Sequence, residues 1–236
     1  MDINCDLGES PDFLESGHDE ALMHYIHSVN IACGFHAGNE QIARKTVENA
    51  LKYGLNIGAH PGFDDRAHFG RVEMELEEGQ LRSLIRFQLT FFSAFTRKIH
   101  HMKPHGALYN MAARRLDYAR IIAEEVYEFD PGIILYGLSG SYSITEAEKA
   151  GLRTRSEVFA DRAYLSDGSL APRSLKGAVL QGKAAMERQV RNLVNGAPLE
   201  TLDGPPVRLK AETICVHSDT AGAVEIAKRV WEEVNR

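Results

Sequence analysis

Met1-Asp2-Ile3-Asn4-Cys5-Asp6-Leu7-Gly8-Glu9 is a short apolar run that ends in two carboxylates around a glycine. The same pattern returns five times: Cys33-Gly34-Phe35-His36-Ala37-Gly38-Asn39, Ala59-His60-Pro61-Gly62-Phe63-Asp64, Lys103-Pro104-His105-Gly106-Ala107-Leu108-Tyr109-Asn110, Glu157-Val158-Phe159-Ala160-Asp161-Arg162 and His217-Ser218-Asp219-Thr220. A parallel sheet ends all its strands on one side, which is where α/β enzymes place their chemistry. Six polar bursts at six strand ends therefore predict one site assembled from distant segments.

The remaining pattern fits that sheet. Strands are predicted at Met1–Asp6, Ser28–Cys33, Asn56–His60, Ile99–Lys103, Ile133–Leu138, Thr154–Phe159 and Glu212–His217, each short, apolar and bounded by turn formers. Helical spacing fills the gaps at Glu40–Tyr53, Glu77–Lys98, Leu116–Phe129, Ala184–Val194 and Thr220–Val234. Leu199–Leu209, with Asp203-Gly204 at its centre, reads as a small inserted β-hairpin. Arg66–Arg71 reads as a mobile polar lid after the third strand. Seven βα alternations without a long linker predict a single α/β domain over 1–236, a seven-stranded parallel β/α barrel of the TIM-like kind. An open doubly wound sheet is the rival.

Composition narrows the class. The chain has 236 residues, 44% hydrophobic and 25% charged, with a net charge of −6. That is enough chain for one sizeable core. The balance argues against a nucleic-acid partner. No basic-then-apolar leader opens the sequence and no apolar run reaches membrane-spanning length, so a cytoplasmic protein with no membrane partner is expected. Three cysteines, Cys5, Cys33 and Cys215, form no CxxC pair and read as buried reduced thiols. A nucleophilic Cys5 or Cys33 would need a neighbouring base. Neither GxGxxG nor GxxxxGK[ST] occurs.

Each burst has a chemical and a structural reading. Asp6 and Glu9 suit a metal or an acid/base pair, or a turn cap. His36, His60, His105 and His217 sit at four separate strand ends beside glycine, proline or an acid. They suit general base chemistry, or an Asp-plus-two-His metal set, although no HExxH motif supports the latter. Lys103 at a buried strand end must find an anion or lose its proton; ligand binding competes there with a salt bridge to Asp6 or Glu157. Glu157, Asp161 and Arg162 offer acid/base groups and a bidentate carboxylate clamp, or a loop-tightening ion network. His18, His24, His27, His68, His100 and His101 read as surface or packing residues.

The segments Asp2–Glu9, Asn30–Gly38, Gly58–Gly62, Lys103–Asn110, Glu157–Tyr164 and Ile214–His217 resemble the LamB/YcsF family, in order and over nearly the whole chain. Three positions depart from the family pattern: Asn39 for Asp, Val72 for Arg and Ser218 for Gly. The resemblance implies a seven-stranded β/α barrel like those of glycoside hydrolases and deacetylases. It also implies ATP-dependent opening of 5-oxo-L-proline to L-glutamate with partner subunits B and C. On that basis Arg162 or Lys103 would bind anions, Asp6 and Glu157 would act as acid and base, and His60 and His105 would orient the lactam. Mg²⁺ would arrive with ATP as co-substrate. Two other readings remain: a metal-dependent deacetylase or amide hydrolase, and a non-catalytic subunit that presents substrate. A homo-oligomer is compatible with all three.

Overall fold

The computed structural model describes residues 1–180 and 182–236. Seven strands, β1 (Asp2–Leu7), β2 (Ser28–Ala32), β3 (Asn56–His60), β4 (His101–Met102), β5 (Ile134–Leu138), β6 (Arg153–Phe159) and β7 (Thr213–His217), close into one parallel barrel in sequence order. Closure is made by β1 against β7, with Asp6 opposite His217, while Asp6 faces Asn30 on its other side. The doubly wound alternative is thereby replaced by the closed barrel. No helix among the described residues is long and apolar enough to cross a membrane.

Alternation along each strand divides the barrel into two chemistries. Ile3, Cys5, Val29 and Ile31 point outward into a core completed by helices. The helices are α1 (Pro11–Glu15), α2 (His18–Met23), α3 (Glu40–Lys52), α4 (Glu78–Ser93), α5 (Gly106–Arg114), α6 (Leu116–Phe129), α7 (Tyr142–Ala150), α8 (Lys183–Val194) and α9 (Ala223–Val234). In α6 the helical period buries Tyr118, Ile121, Ile122 and Val126 on one stripe. Each such side chain contributes roughly 1.5–3 kcal/mol of burial. Removing one would loosen the packing of α6 against α4, α5 and α7.

The lumen carries the other residue of each pair. Asn4, Ser28, Asn30, His101, Tyr136 and Thr213 are buried there. Asn30 donates to Asn4 Oδ1 (2.7 Å) and Asp6 Oδ1 (2.7 Å), and His101 Nε2 donates to Asn30 Oδ1 (2.7 Å). Asn4 in turn donates to Glu157 Oε1 (2.9 Å) and Thr213 Oγ1 (2.7 Å). Gly58 makes room for this layer, because a Cβ there would lie 2.2 Å from the His101 ring.

Four expectations change. The fourth strand shrinks to two residues. At Lys103 the N–H still pairs with Ala59 (3.0 Å), but its carbonyl turns to accept from the His60 ring. The fourth helix stops at Ser93, where the N–H groups of Ala94 and Phe95 close back on Phe91 and Phe92. The last helix starts at Ala223, because Gly222 is in the left-handed region. The Leu199–Leu209 hairpin reduces to one antiparallel bridge, Leu199 with Val207, since Thr201 pairs instead with Tyr164. The short helices α1 and α2, and α5 and α7, had no counterpart in the sequence reading.

Candidate active site

The strand ends open on a cavity of about 860 Å³ whose wall includes Asp6, Glu9, His60, Lys103, His105, Arg162 and His217. His36, Glu157 and Asp161 lie just behind that wall, His36 stacked on His105, Glu157 paired with Lys103 and Asp161 bonded to His217. All ten predicted site residues are thus gathered at one end of the barrel.

Lys103 is the centre of charge. Its Nζ lies 2.9 Å from Asp6 Oδ1 and 2.9 Å from Glu157 Oε1, with Asn4 Oδ1 at 3.3 Å. Burial opposes the ammonium, but Asp6 and Glu157 beside it raise its pKa well above the ordinary lysine value. Burial also opposes the Asp6 carboxylate, yet His60 and Lys103 hold it well below the usual range. Lys103 is therefore a fixed cation already committed to two carboxylates. It organises Asp6 and Glu157 and is not a free clamp for a ligand anion. Tyr109 lies against Glu157, and burial together with that carboxylate keeps its phenol protonated.

A second cluster flanks it. His36 and His105 stack in parallel, with ring centroids 3.8 Å apart, and His60 meets His105 edge-on. Glu9 Oε1 lies 3.4 Å from His36 Nε2 and 3.4 Å from His105 Nδ1. Burial, then the Asp6 charge, pushes the Glu9 carboxyl up to about 7. Burial and neighbouring imidazoles push His36 and His105 well below the ordinary histidine value.

The loop that follows β3 builds the roof of this cluster. It was expected to be a mobile lid; the structure ties it down. Arg66–His68 form a 3₁₀ turn capped by Asp65, and the Arg66 guanidinium donates to the carbonyls of Gly34 (2.6 Å) and Gly38. Phe69 sits at φ 55°, a strained setting for a non-glycine residue. That conformation aims its carbonyl at His105 Nε2 (2.9 Å). Gly70 follows at φ 62°, where a Cβ would approach His36 Cβ to 2.8 Å.

On the opposite wall, His217 Nδ1 donates to Asp161 (2.9 Å), which also accepts from Thr220 (2.9 Å). Burial works against this carboxylate, but His217 and Thr220 hold it at about 2. Arg162 donates to the carbonyls of Ala171 (2.6 Å) and Ala178 (3.3 Å). Burial and the nearby Arg173 bring its pKa down to about 10. The expected ion network between Arg162 and its carboxylate neighbours gives way to these backbone bonds. Arg173 and Arg71 complete a cationic wall, Arg71 paired with Asp219 (2.7 Å).

Sequence reasoning passed over Arg173, which has no local motif, and read Arg71 only as part of the polar loop after the third strand. It also passed over Asn4, Asn30 and His101, although two-residue alternation from Asp6 and Lys103 places them on the lumen face. Of the three departures from the family pattern, Ser218 lines the cavity and Asn39 and Val72 do not. Asn39 caps α3 by accepting from the Ile42 N–H (2.9 Å), as aspartate would. Val72 is exposed, and the Ser218 carbonyl accepts from His18 (3.0 Å). Cys5, Cys33 and Cys215 are free and buried, and desolvation raises the pKa of each. That environment holds them as thiols rather than nucleophilic thiolates.

Comparison with known proteins agrees with this architecture. The model of the LamB/YcsF family matches residues 1–236. A protein of Staphylococcus carnosus, named as the A subunit of 5-oxoprolinase, is 45% identical over 240 residues, covering 100% of this chain and 95% of that one. One of the same name from Brevibacillus brevis is 44% identical over 239 residues, covering 100% and 94%. The crystal structure of a lactam utilization protein from Thermus thermophilus superposes with a TM-score of 0.90 at 40% identity, covering 100% of this chain and 96% of that one. The chain belongs to the LamB/YcsF family.

Proposed function

We propose that this chain performs the ring-opening chemistry of a 5-oxoprolinase, converting 5-oxo-L-proline to L-glutamate together with subunits B and C. ATP, entering with Mg²⁺, is the phosphoryl donor. The observation that carries the reading is the pairing of two unlike walls in one cavity. Glu9, His60 and His105 supply one, Arg162 and Arg173 the other, and Arg71, from the loop over His105, reaches across to Asp219.

The chemistry needs both walls. A lactam resists water because its amide is resonance-stabilised. Phosphoryl transfer to the amide oxygen removes that resonance. Water then adds to the ring carbon, the C–N bond breaks as nitrogen takes a proton, and a γ-glutamyl phosphate is left. A second water releases phosphate and glutamate. The arginine wall suits the substrate carboxylate and the phosphoryl oxygens. Glu9, with His60 and His105 beside it, suits the activation of the attacking water. Asp6 and Glu157, fixed by Lys103, supply the negative field for the protonated leaving nitrogen.

The test is reconstitution with candidate subunits B and C, following glutamate release from 5-oxoproline with and without ATP. Glutamate formed only with ATP and all three chains is the expected result, lost with His105→Ala. No glutamate from the complete wild-type assembly would overturn the proposal. Full activity with His105→Ala would leave this chain in a presenting role.

A further inference from the structure

The second cluster sets the lone pairs of two histidines against each other. His60 Nδ1 lies 2.7 Å from the Lys103 carbonyl, and His105 Nε2 lies 2.9 Å from the Phe69 carbonyl. A carbonyl only accepts, so both of these nitrogens carry the ring proton. Each neutral ring then has one lone pair left, on His60 Nε2 and His105 Nδ1. Those two nitrogens face each other at 3.0 Å. Two lone pairs at that distance repel unless a cation or a proton lies with them.

The neighbours extend the same pattern. Both ring nitrogens of His36 and Glu9 Oε1 are buried without a hydrogen-bond partner. His36 is 1% exposed. Its Nε2 points to Glu9 Oε1 at 3.4 Å, and Glu9 Oε1 lies 3.4 Å from His105 Nδ1. One ligand atom from each of Glu9, His36, His60 and His105 lies within 4.8 Å of all the others. Donors at about 2.0–2.2 Å from a tetrahedral zinc ion are roughly 3.3 Å apart, close to the 3.0 and 3.4 Å seen here; the parallel stack of His36 on His105 has to open for both rings to turn a lone pair to one ion.

We infer that Glu9, His36, His60 and His105 bind one divalent transition-metal cation at the cavity wall. Three imidazoles and one carboxylate suit zinc, cobalt, nickel or iron(II) better than magnesium or calcium. The outward bonds to Lys103 and Phe69 are the supports that metal-ligating histidines ordinarily have, fixing tautomer and ring orientation. The strain at Phe69 gains a purpose, since it aims one of those two carbonyls. Asp6 Oδ2, 3.4 Å from His60 Nε2, adds negative charge beside the cation. Glu9, His60 and His105 border the cavity, so a bound cation would be open to water on that side. The inference deepens the proposed function by naming what activates water, and it rests on that reading only for the identity of the substrate.

The experiment is titration of chelator-treated full-length protein with Co²⁺ alone, followed by calorimetry and by the visible absorption of the bound ion. One equivalent should bind, with the intense spectrum of a four- or five-coordinate nitrogen/oxygen site. His60→Gln and His36→Gln should each weaken binding by at least about tenfold. Thermal melts of the variants report whether they fold. Absence of binding by the wild-type protein would overturn the site. So would Co²⁺ binding that folded His36→Gln and His60→Gln leave unchanged. Neither readout involves turnover. Cobalt binding without glutamate formation in the reconstituted assembly would therefore reject the substrate and keep the site; glutamate formation by metal-stripped, cobalt-indifferent protein would do the reverse.

Discussion

The two ends of the barrel lumen are built from similar residues and solve opposite problems. At the N-terminal end, Asp2 accepts from Ser28 (2.7 Å) and Thr213, Asn4 and Asn30 bridge neighbouring strands, and His101 stacks on Tyr136 at 4.1 Å. Every one of these side chains has its partners inside the protein, as a stable buried network must. At the C-terminal end, Glu9 and His36 are equally enclosed but leave buried polar atoms unpaired. An unpaired buried group costs about 1–3 kcal/mol, so the second end carries a standing cost that the first does not. The lower layer spends its polar groups on closing the barrel. The upper layer keeps some in reserve for something that enters.

Lys103 stands at the boundary, and its removal should break the contrast most severely. Lys103→Met leaves the Asp6 and Glu157 carboxylates buried without their cation. Loss of roughly 3–5 kcal/mol of stability is expected, read from the midpoint of denaturant unfolding. A change under about 1 kcal/mol would mean that the upper charges are solvated rather than paired.

The closed layer is tested next. Gly58→Ala places a methyl group against the His101 ring, and no flexible side chain is available to move aside. A cost of about 1–3 kcal/mol is expected from overpacking. An unchanged melting temperature would show that the lower layer is looser than its hydrogen bonds suggest.

The smallest effect is on the upper rim and depends on pH. Asp161 is held at about 2 in the fold, below its ordinary 3.8. A depressed carboxylate adds stability that is complete above about pH 4 and fades as pH falls through 2, here about 2 kcal/mol. Asp161→Asn should lose stability at pH 6 relative to the wild type and match it near pH 2. Parallel pH curves for the two proteins would remove Asp161 from the set of paired groups.

How far this was readable from the sequence differs by element. The Leu116–Phe129 helix was predicted with its observed ends, because its apolar stripe lies between Arg115 and the Asp130-Pro131-Gly132 breaker. The fourth strand was overestimated, because apolar character does not reveal that the Lys103 carbonyl serves a histidine instead of a neighbouring strand. The convergence of Asp6, His60, Lys103 and His217 followed from strand ends alone. The partners of Lys103 were named as alternatives, and the fold supplied both. The stacking of His36 on His105, the inward carbonyl of Phe69 and the backbone bonds of Arg162 had no sequence signal, since each depends on contacts between loops.

The sequence by itself determined the periodicity, and with it which residues end each strand. In a parallel barrel that is enough to choose the pole where chemistry gathers, because strand direction is shared. Only the tertiary structure decided which donors face a carbonyl and which face each other. Proton positions, charge states and the unpaired polar atoms at Glu9 and His36 are properties of distances of about 3 to 4 Å, and segments far apart in the chain acquire such distances only when the barrel closes.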